Sequence, residues 1–322
     1  MSDWRPSASF GTLRLRARLL AQTRAFFHAR DVWEVETPLL SQAATPDPHI
    51  HSFAVPASTG VDTRYLHTSP EFPMKRLLAA GSGSIYQICK VFREAETGRR
   101  HNPEFTLLEW YRIGFDLRAL MKEVDALVRE LLRQQVGECL VLTDTQYFSY
   151  QEALRCFAGL DPLNMDVAAL QGCARHHGLD VPALGDERDA WLDLLMSHVV
   201  EPALPRHCPV FIYDYPASQA ALAQICGDVA ERFELYFNGM ELANGFHELA
   251  DAVEQRRRFE AQNRRRMQTG QPVMPLDTHF LAALEQGLPD CSGVALGFDR
   301  LLMLVAGKPD IPAVLSFGHE RA

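Results

Sequence analysis

The sequence predicts an α+β fold, an antiparallel β-sheet flanked by helices, and three observations carry that expectation. Two strand–turn–strand patterns stand out, "SIYQICKVFRE" with "EFTLLEWYR" and "RFELYF" with "MELANGFHEL", the second across Asn238-Gly239, a strong hairpin signal. Amphipathic stretches of helical period flank the first pair, at 11–30 and 117–135. A further strand pattern at 292–298 puts Gly293, Ala295 and Gly297 on one face and Val294, Leu296 and Phe298 on the other. A strand so bare on one face has another backbone or a ligand against it.

The elements follow in order. "GTLRLRARLLAQTRAFFHAR" carries apolar residues at helical spacing, and "VWEVETPLL" (32–40) reads as a short strand halted by Pro38. "SQAATPDPHIHSF" is a turn-rich loop whose His49 and His51 read as surface residues rather than metal ligands. In "HTSPEFPMKRLLAAG" Ser69 stands as N-cap, Pro70 at the first helical position and Glu71 in the first turn. The polar loop "AETGRRHNP" joins the next two strands into an antiparallel hairpin. Leu120, Met121, Val124, Leu127, Val128 and Leu131 form one stripe of the helix over 117–135. From about 143 to 207 the pattern is mostly helical and shows no chemistry. Arg256–Arg258 and Arg264–Arg266 lie on a polar helix, as a solvated face or a patch for an acidic partner. No interdomain linker is visible, so 1–322 is expected to be one domain with the helical stretch at 143–207 as an insertion.

Composition narrows the classes. Of 322 residues 47% are apolar and 23% charged, the profile of a soluble globular protein. No apolar run approaches the ~18 residues of a membrane span. "MSDWRPSASF" lacks a signal peptide's apolar core, so a cytoplasmic protein with no membrane attachment is expected. The seven cysteines show neither a C-x-x-C pair nor zinc spacing and read as reduced core thiols. A net charge of -9 argues against a broad nucleic-acid surface. Only Lys75, Lys90, Lys122 and Lys308 are lysines among 32 basic residues, so Arg supplies nearly all the cations.

The chemistry-bearing residues gather around the strands. A two-residue turn at Asn238-Gly239 pairs Tyr236 with Glu241 and Glu234 with Ala243, making Glu234 and Glu241 same-face diagonal neighbours. Such a carboxylate pair repels unless a cation intervenes, and with ligand phosphates it suits Mg²⁺. Asn244, Phe246 and Glu248 have the opposite parity, so all five share a face only if a bulge intervenes, with Gly245 the candidate. Phe105, Glu109 and Tyr111 share one face of their strand; Arg93 ends its partner, and Arg99, Arg100, His101 and Asn102 lie in the loop between. Together these offer a flat surface for a base, cations for phosphates and acceptors for an ammonium group. Arg300, in the first turn after the bare strand, adds a cation near a positive helix end.

In order, "VWEVETPLL", "VFREAETGRRHNPEFTLLEWY" and "GVALGFDRLLM" resemble motifs one, two and three of the class II aminoacyl-tRNA synthetases. "HTSPEF" and "RFELYFNGMELANGFHEL" narrow the resemblance to the lysyl branch, and it runs from about residue 12 to the end. The resemblance implies the class II synthetase catalytic fold. Lysyl-tRNA synthetases carry an N-terminal oligonucleotide-binding domain; motif one starts here at Val32, so no anticodon-binding domain is expected. The chain is thus similar to free-standing lysyl-synthetase paralogues. That likeness implies an ATP- and Mg²⁺-dependent ligase that activates (R)-β-lysine as an acyl-adenylate and transfers it to a lysine ε-amino group of translation elongation factor P. A truncated enzyme acylating tRNA is the alternative, with tRNA the less expected partner. The resemblance further implies a homodimer through motif one, near residues 30 to 40.

Residue by residue, the resemblance assigns Arg93 to the α-phosphate and substrate carboxylate, Phe105 to stacking on adenine and Arg300 to the triphosphate, with Arg93 and Arg300 catalytic. It assigns Glu234 and Glu241 to Mg²⁺, and Glu94, Ala95, Asn102, Leu242 and Gly297 to the border of ATP. The Ser69-Pro70-Glu71 segment, Tyr111 and Glu248 would bind the amino acid, with Glu109, Asn244 and Phe246 completing the pocket. Motif two departs from the family's Phe-Arg-x-Glu: Phe92-Arg93-Glu94-Ala95 has Ala in the acidic slot, with Glu94 and Glu96 as the nearest acids. At Ala295 lysyl-tRNA synthetases generally have Gly, and the added methyl is expected to disfavour α-lysine.

Overall fold

The computed structural model describes residues 4–58, 60, 62–134, 142–162, 165–179 and 184–322. In chain order its strands are β1 (Trp33–Glu34), β2 (Leu40–Ser41), β3 (Ala54–Pro56), β4 (Thr63–Leu66), β5 (Ile85–Phe92) and β6 (Glu104–Ile113), then β7 (Gln146–Ser149), β8 (Val210–Pro216), β9 (Ile225–Cys226), β10 (Val229–Phe237), β11 (Met240–His247) and β12 (Cys291–Gly297). One nine-stranded sheet runs β1-β5-β6-β12-β11-β10-β8-β7, with β9 on β10. Its pairs are antiparallel except β1 with β5 and β7 with β8. A small sheet, β2-β4-β3, stands beside it.

The two faces of β12 separate as their side chains demand. Val294, Leu296 and Phe298 join Leu108, Trp110, Phe233 and Leu235 in a core closed by the helices Phe10–His28, Leu117–Leu132 and Phe298–Val305. The helix Leu117–Leu132 buries the expected stripe; Asp116 caps it by accepting from the Ala119 N–H at 2.7 Å. The opposite face of β12 opens into a cavity. A latch connects the two sides: buried Asp299 accepts from the Arg16 guanidinium at 2.5 Å and from the Thr106 N–H at 2.7 Å. It ties the first helix, β6 and the helix carrying Arg300 together.

Several boundaries differ from expectation. The helix of the "HTSPEF" segment is Glu71–Ala79 with Pro70 as its cap residue, one position later than predicted, although Ser69 Oγ still accepts the Glu71 N–H at 3.0 Å. The 143–207 stretch opens with a strand, β7, before its helices; these bury Tyr150, Leu154, Leu192 and Leu195 against Val210, Ile212 and Tyr236. Cys156 and Cys226 are exposed rather than in the core, and Cys139 lies outside the described residues. Among the described residues no helix is long and apolar enough to cross a membrane.

The largest correction concerns register. Tyr236 pairs with Glu241 as expected, but Leu235 pairs with Ala243 and Glu234 with Asn244, so the extra residue of the bulge is Leu242 rather than Gly245. The bulge does what the parity argument required: Glu241 falls opposite Tyr236, Asn244 opposite Glu234 and Phe246 opposite Arg232, all on one face. Gly245 serves the other face, where a Cβ would meet the Phe233 ring at 2.5 Å.

Candidate active site

The bare face of β12 forms the floor of a cavity of about 830 Å³. Its register fixes what surrounds each floor position: Gly293 lies between Tyr111 and Phe246, Ala295 between Glu109 and Asn244, and Gly297 beside Leu107. Gly297 lies four residue steps along the strand from Gly293, roughly 13 Å at strand rise. The cavity therefore has two ends with Ala295 between them.

At the Gly293 end carboxylates converge. Glu109 is buried, accepting from Ser69 Oγ at 2.7 Å and from the Tyr111 hydroxyl at 2.6 Å. Burial, reinforced by the charge of Glu71, pushes Glu109 up to about 8. Glu248 is equally buried and is pushed up to about 7 by burial, with Lys75 opposing and Glu71 adding. Behind these acids stands Lys75, wholly buried, its ammonium 2.6 Å from Glu71 and 2.5 Å from Glu248. Lys75 was not singled out from the sequence, although its spacing of four from Glu71 on one helix face is visible in "EFPMK".

At the Gly297 end stand cations and a ring. Arg93 reaches Glu96 at 3.0 Å and lies 5.1 Å from the centroid of the Phe105 ring. Arg300 donates to the Glu241 carbonyl at 3.0 Å and meets its carboxylate at 3.3 Å. Gly297 is not demanded by protein atoms: a Cβ there would meet nothing closer than 3.7 Å, and no unusual φ requires glycine. Its openness leaves space over the floor that a close-lying ligand can use. Buried polar atoms of lining residues, among them Asn244 Oδ1, His67 Nδ1 and Arg232 Nε, have no hydrogen-bond partner in the protein, which also marks space for a polar ligand.

Most of the anticipated residues meet at this cavity. Ser69, Glu71, Glu109, Tyr111 and Glu248 line it, as do Arg93, Asn102 and Phe105. Glu241, Leu242, Asn244, Phe246, Ala295, Gly297 and Arg300 complete the set. Asn102 is also a clasp, donating to the Glu104 carbonyl at 2.6 Å and accepting the His319 N–H at 3.1 Å. Pro70, Glu94, Ala95 and Glu234 are not on the lining; near the Ala slot of motif two the acid on the cavity is Glu96.

The proposed metal pair is asymmetric. Both oxygens of Glu234 are engaged, one by Arg232 at 2.5 Å and the other by the Tyr215 and Tyr236 hydroxyls. Burial alone would raise its pKa, but Arg232 and the two phenols outweigh that and lower it. Glu241 is held high by burial and by the charge of Glu234, against Arg300. Among the described residues no cluster of three or more His, Cys, Asp or Glu is arranged for a metal ion. Glu241, with a carboxylate oxygen free of protein partners, fits a hard cation completed by phosphate oxygens; Glu234 fits one only by giving up Arg232.

The arginine-rich helix is divided. Arg258 donates to the Ala221 and Ala223 carbonyls and Arg266 to those of Pro272 and Asp47, so both are structural, whereas Arg256 and Arg264 are exposed.

The family model for tRNA synthetases class II (D, K and N) matches residues 1–321. The chain belongs to the class II tRNA synthetase family. It has that family's antiparallel-dominated sheet flanked by helices, and it is an ATP-dependent ligase. Among curated proteins it is similar to the elongation factor P--(R)-beta-lysine ligase of Vibrio cholerae, with 50% identity covering 100% of this chain and 99% of the relative. Proteins of the same name from Haemophilus ducreyi and Pseudoalteromonas translucida are 49% and 50% identical, covering 99% of this chain and 97% and 98% of the relatives.

Proposed function

We propose that the chain activates (R)-β-lysine with ATP and joins it to a lysine ε-amino group of elongation factor P. The observation that carries this reading is the polarity of the cavity: three carboxylates around one end, Arg93 and Arg300 at the other. A diamino acid lying along β12 would place its ammonium groups among Glu71, Glu109 and Glu248 and its carboxylate near Arg93. The names of the end-to-end relatives supply the substrate and the acceptor.

In the first step the substrate carboxylate attacks the α-phosphorus of ATP, and the bond to pyrophosphate breaks. Arg93 and Arg300 balance the charge gathering on the non-bridging oxygens, and Phe105 provides the face for adenine. Glu241, and Glu234 if freed from Arg232, would hold Mg²⁺, which would further neutralise the phosphates when bound. In the second step the deprotonated ε-amine of the acceptor attacks the acyl carbon and AMP departs. The decisive assay is ATP–pyrophosphate exchange with α-lysine and both β-lysine enantiomers, followed by acceptor assays with elongation factor P and with tRNA. Exchange with no diamino acid, or transfer to tRNA alone, contradicts the reading.

Ala295, level with Glu109 and Asn244, narrows the middle of the floor by one methyl. Ala295→Gly is expected to shift the α-lysine to β-lysine activation ratio about tenfold toward α-lysine, a methyl-sized discrimination. An unchanged ratio removes this account of the residue.

Binding should also depend on pH. Below about 7 both Glu109 and Glu248 are largely protonated in the free site, so a dicationic substrate must expel protons to bind. Affinity is expected to weaken about tenfold or more from pH 8.5 to pH 6, with proton release at pH 7 visible as buffer-dependent heat in titration calorimetry. Flat affinity over that range contradicts it. The dimer reading extends to the exposed Trp33, Leu39 and Leu40 near motif one; a dilution-independent monomer on gel filtration overturns it.

A further inference from the structure

A cation buried behind a site that reads cations calls for a reason. Lys75 is fully buried, lies outside the cavity lining and has its ammonium 5.9 Å from the centroid of the Phe280 ring, on a helix whose other buried residues are Met74 and Leu78. Burying an ammonium is expensive, and an apolar side chain of similar length would suit those neighbours. The cost is offset only through Glu71 and Glu248, whose charges outweigh burial and keep the ammonium protonated.

The contacts are divided. Lys75 takes Oε1 of Glu71 and Oε2 of Glu248. Oε1 of Glu248 lies over Gly293, within 2.4 Å of where a Cβ would be, on the cavity floor. Glu71 belongs to the helix Glu71–Ala79 and Glu248 follows β11, so the ammonium is also what holds two separate elements of the site at a fixed spacing.

We propose that Lys75 is a positioning residue: clamped between Glu71 and Glu248, it holds one oxygen of each carboxylate away from the cavity and presents the other to the substrate's ammonium groups. Once the substrate has displaced the protons of Glu109 and Glu248, Lys75 also cancels one of the three charges of Glu71, Glu109 and Glu248, leaving a net of two negative charges, the complement of a diamino acid. This rests on the diamino-acid reading of the site.

Pyrophosphate exchange with the full chain tests it. Lys75→Met is expected to raise KM for β-lysine about tenfold or more while KM for ATP and kcat stay within about threefold, because only the amino-acid end is disordered. In Lys75→Ala, n-butylammonium should lower the raised KM and n-butanol should not, a distinction that a purely space-filling role would not produce. Lys75→Arg keeps the charge and is the most conservative variant, yet its planar fork cannot hold both oxygens as the ammonium does, so its amino-acid KM should rise about threefold. An unchanged amino-acid KM in a folded Lys75→Met or in Lys75→Arg overturns the proposal. So does a parallel rise in both KM values, or equal rescue by butanol. If the wild-type chain activates a different diamino acid, the substrate reading falls while the same variants, assayed with that amino acid, still decide the role of Lys75.

Discussion

Gly293→Ala is expected to lower amino-acid activation about a hundredfold, the penalty that a displacement near 1 Å imposes on a positioned site. A Cβ at this position would lie 2.3 Å from Cε1 of Tyr111 and 2.4 Å from Oε1 of Glu248. Neither neighbour can yield freely. Tyr111 is buried with its hydroxyl bound to Glu109, and Glu248 is buried and held by Lys75. The new methyl must therefore move the phenol or the carboxylate. Gly297→Ala provides the contrast, since its Cβ meets only ordinary contacts at 3.7 Å and beyond. That variant should fold normally and raise KM for ATP, leaving the amino-acid KM near wild type. Steady-state pyrophosphate exchange with each substrate varied in turn separates the two outcomes. Equal effects of both variants on both KM values would contradict the two-ended cavity.

Arg93→Ala is expected to reduce the rate of activation by about 10²–10³-fold, the range seen when one preorganised donor to a developing oxyanion is removed. Arg93 is suited to this because it is already aimed, through Glu96 at 3.0 Å and the Phe105 ring, at the end of the cavity where the phosphates would lie. Arg93→Lys should recover only part of the loss, because an ammonium cannot reproduce the bidentate fork. Rapid-quench measurement of adenylate formation checks this separately from product release. A Lys variant with wild-type rate would show that charge alone suffices.

The site was legible in the sequence wherever the chemistry follows one strand or one turn. The shared face of Phe105, Glu109 and Tyr111 follows from a period of two, and the Tyr236–Glu241 pair follows from a two-residue turn. Parity requires a bulge and makes Gly245 the candidate for it, whereas Leu242 is the inserted residue and Gly245 is needed to admit the Phe233 ring from across the pair. The sequence brings the carboxylates of Glu234 and Glu241 together but does not show what engages Glu234. The Arg232, Tyr215 and Tyr236 groups that occupy it come from its own strand and from β8. His67, with its Nε2 bound to the Lys90 carbonyl and Nδ1 unpaired, gave no signal beyond being a lone histidine.

By itself the sequence determined the two hairpins, the amphipathic helices at the first pair, the greasy and bare faces of β12 and the ordered motifs that identify the family, because these depend on side-chain periodicity and local turn chemistry. The tertiary structure alone decided which groups neutralise which. Lys75 meets Glu248 only because the fold brings the helix Glu71–Ala79 beside the residue that follows β11, and Asp299 meets Arg16 only because the first helix reaches β6 through Phe27 against Trp110 and Arg16 against Thr106. The physical reason is range: backbone periodicity is written residue by residue, whereas a buried ion pair exists only once packing has excluded water from both partners.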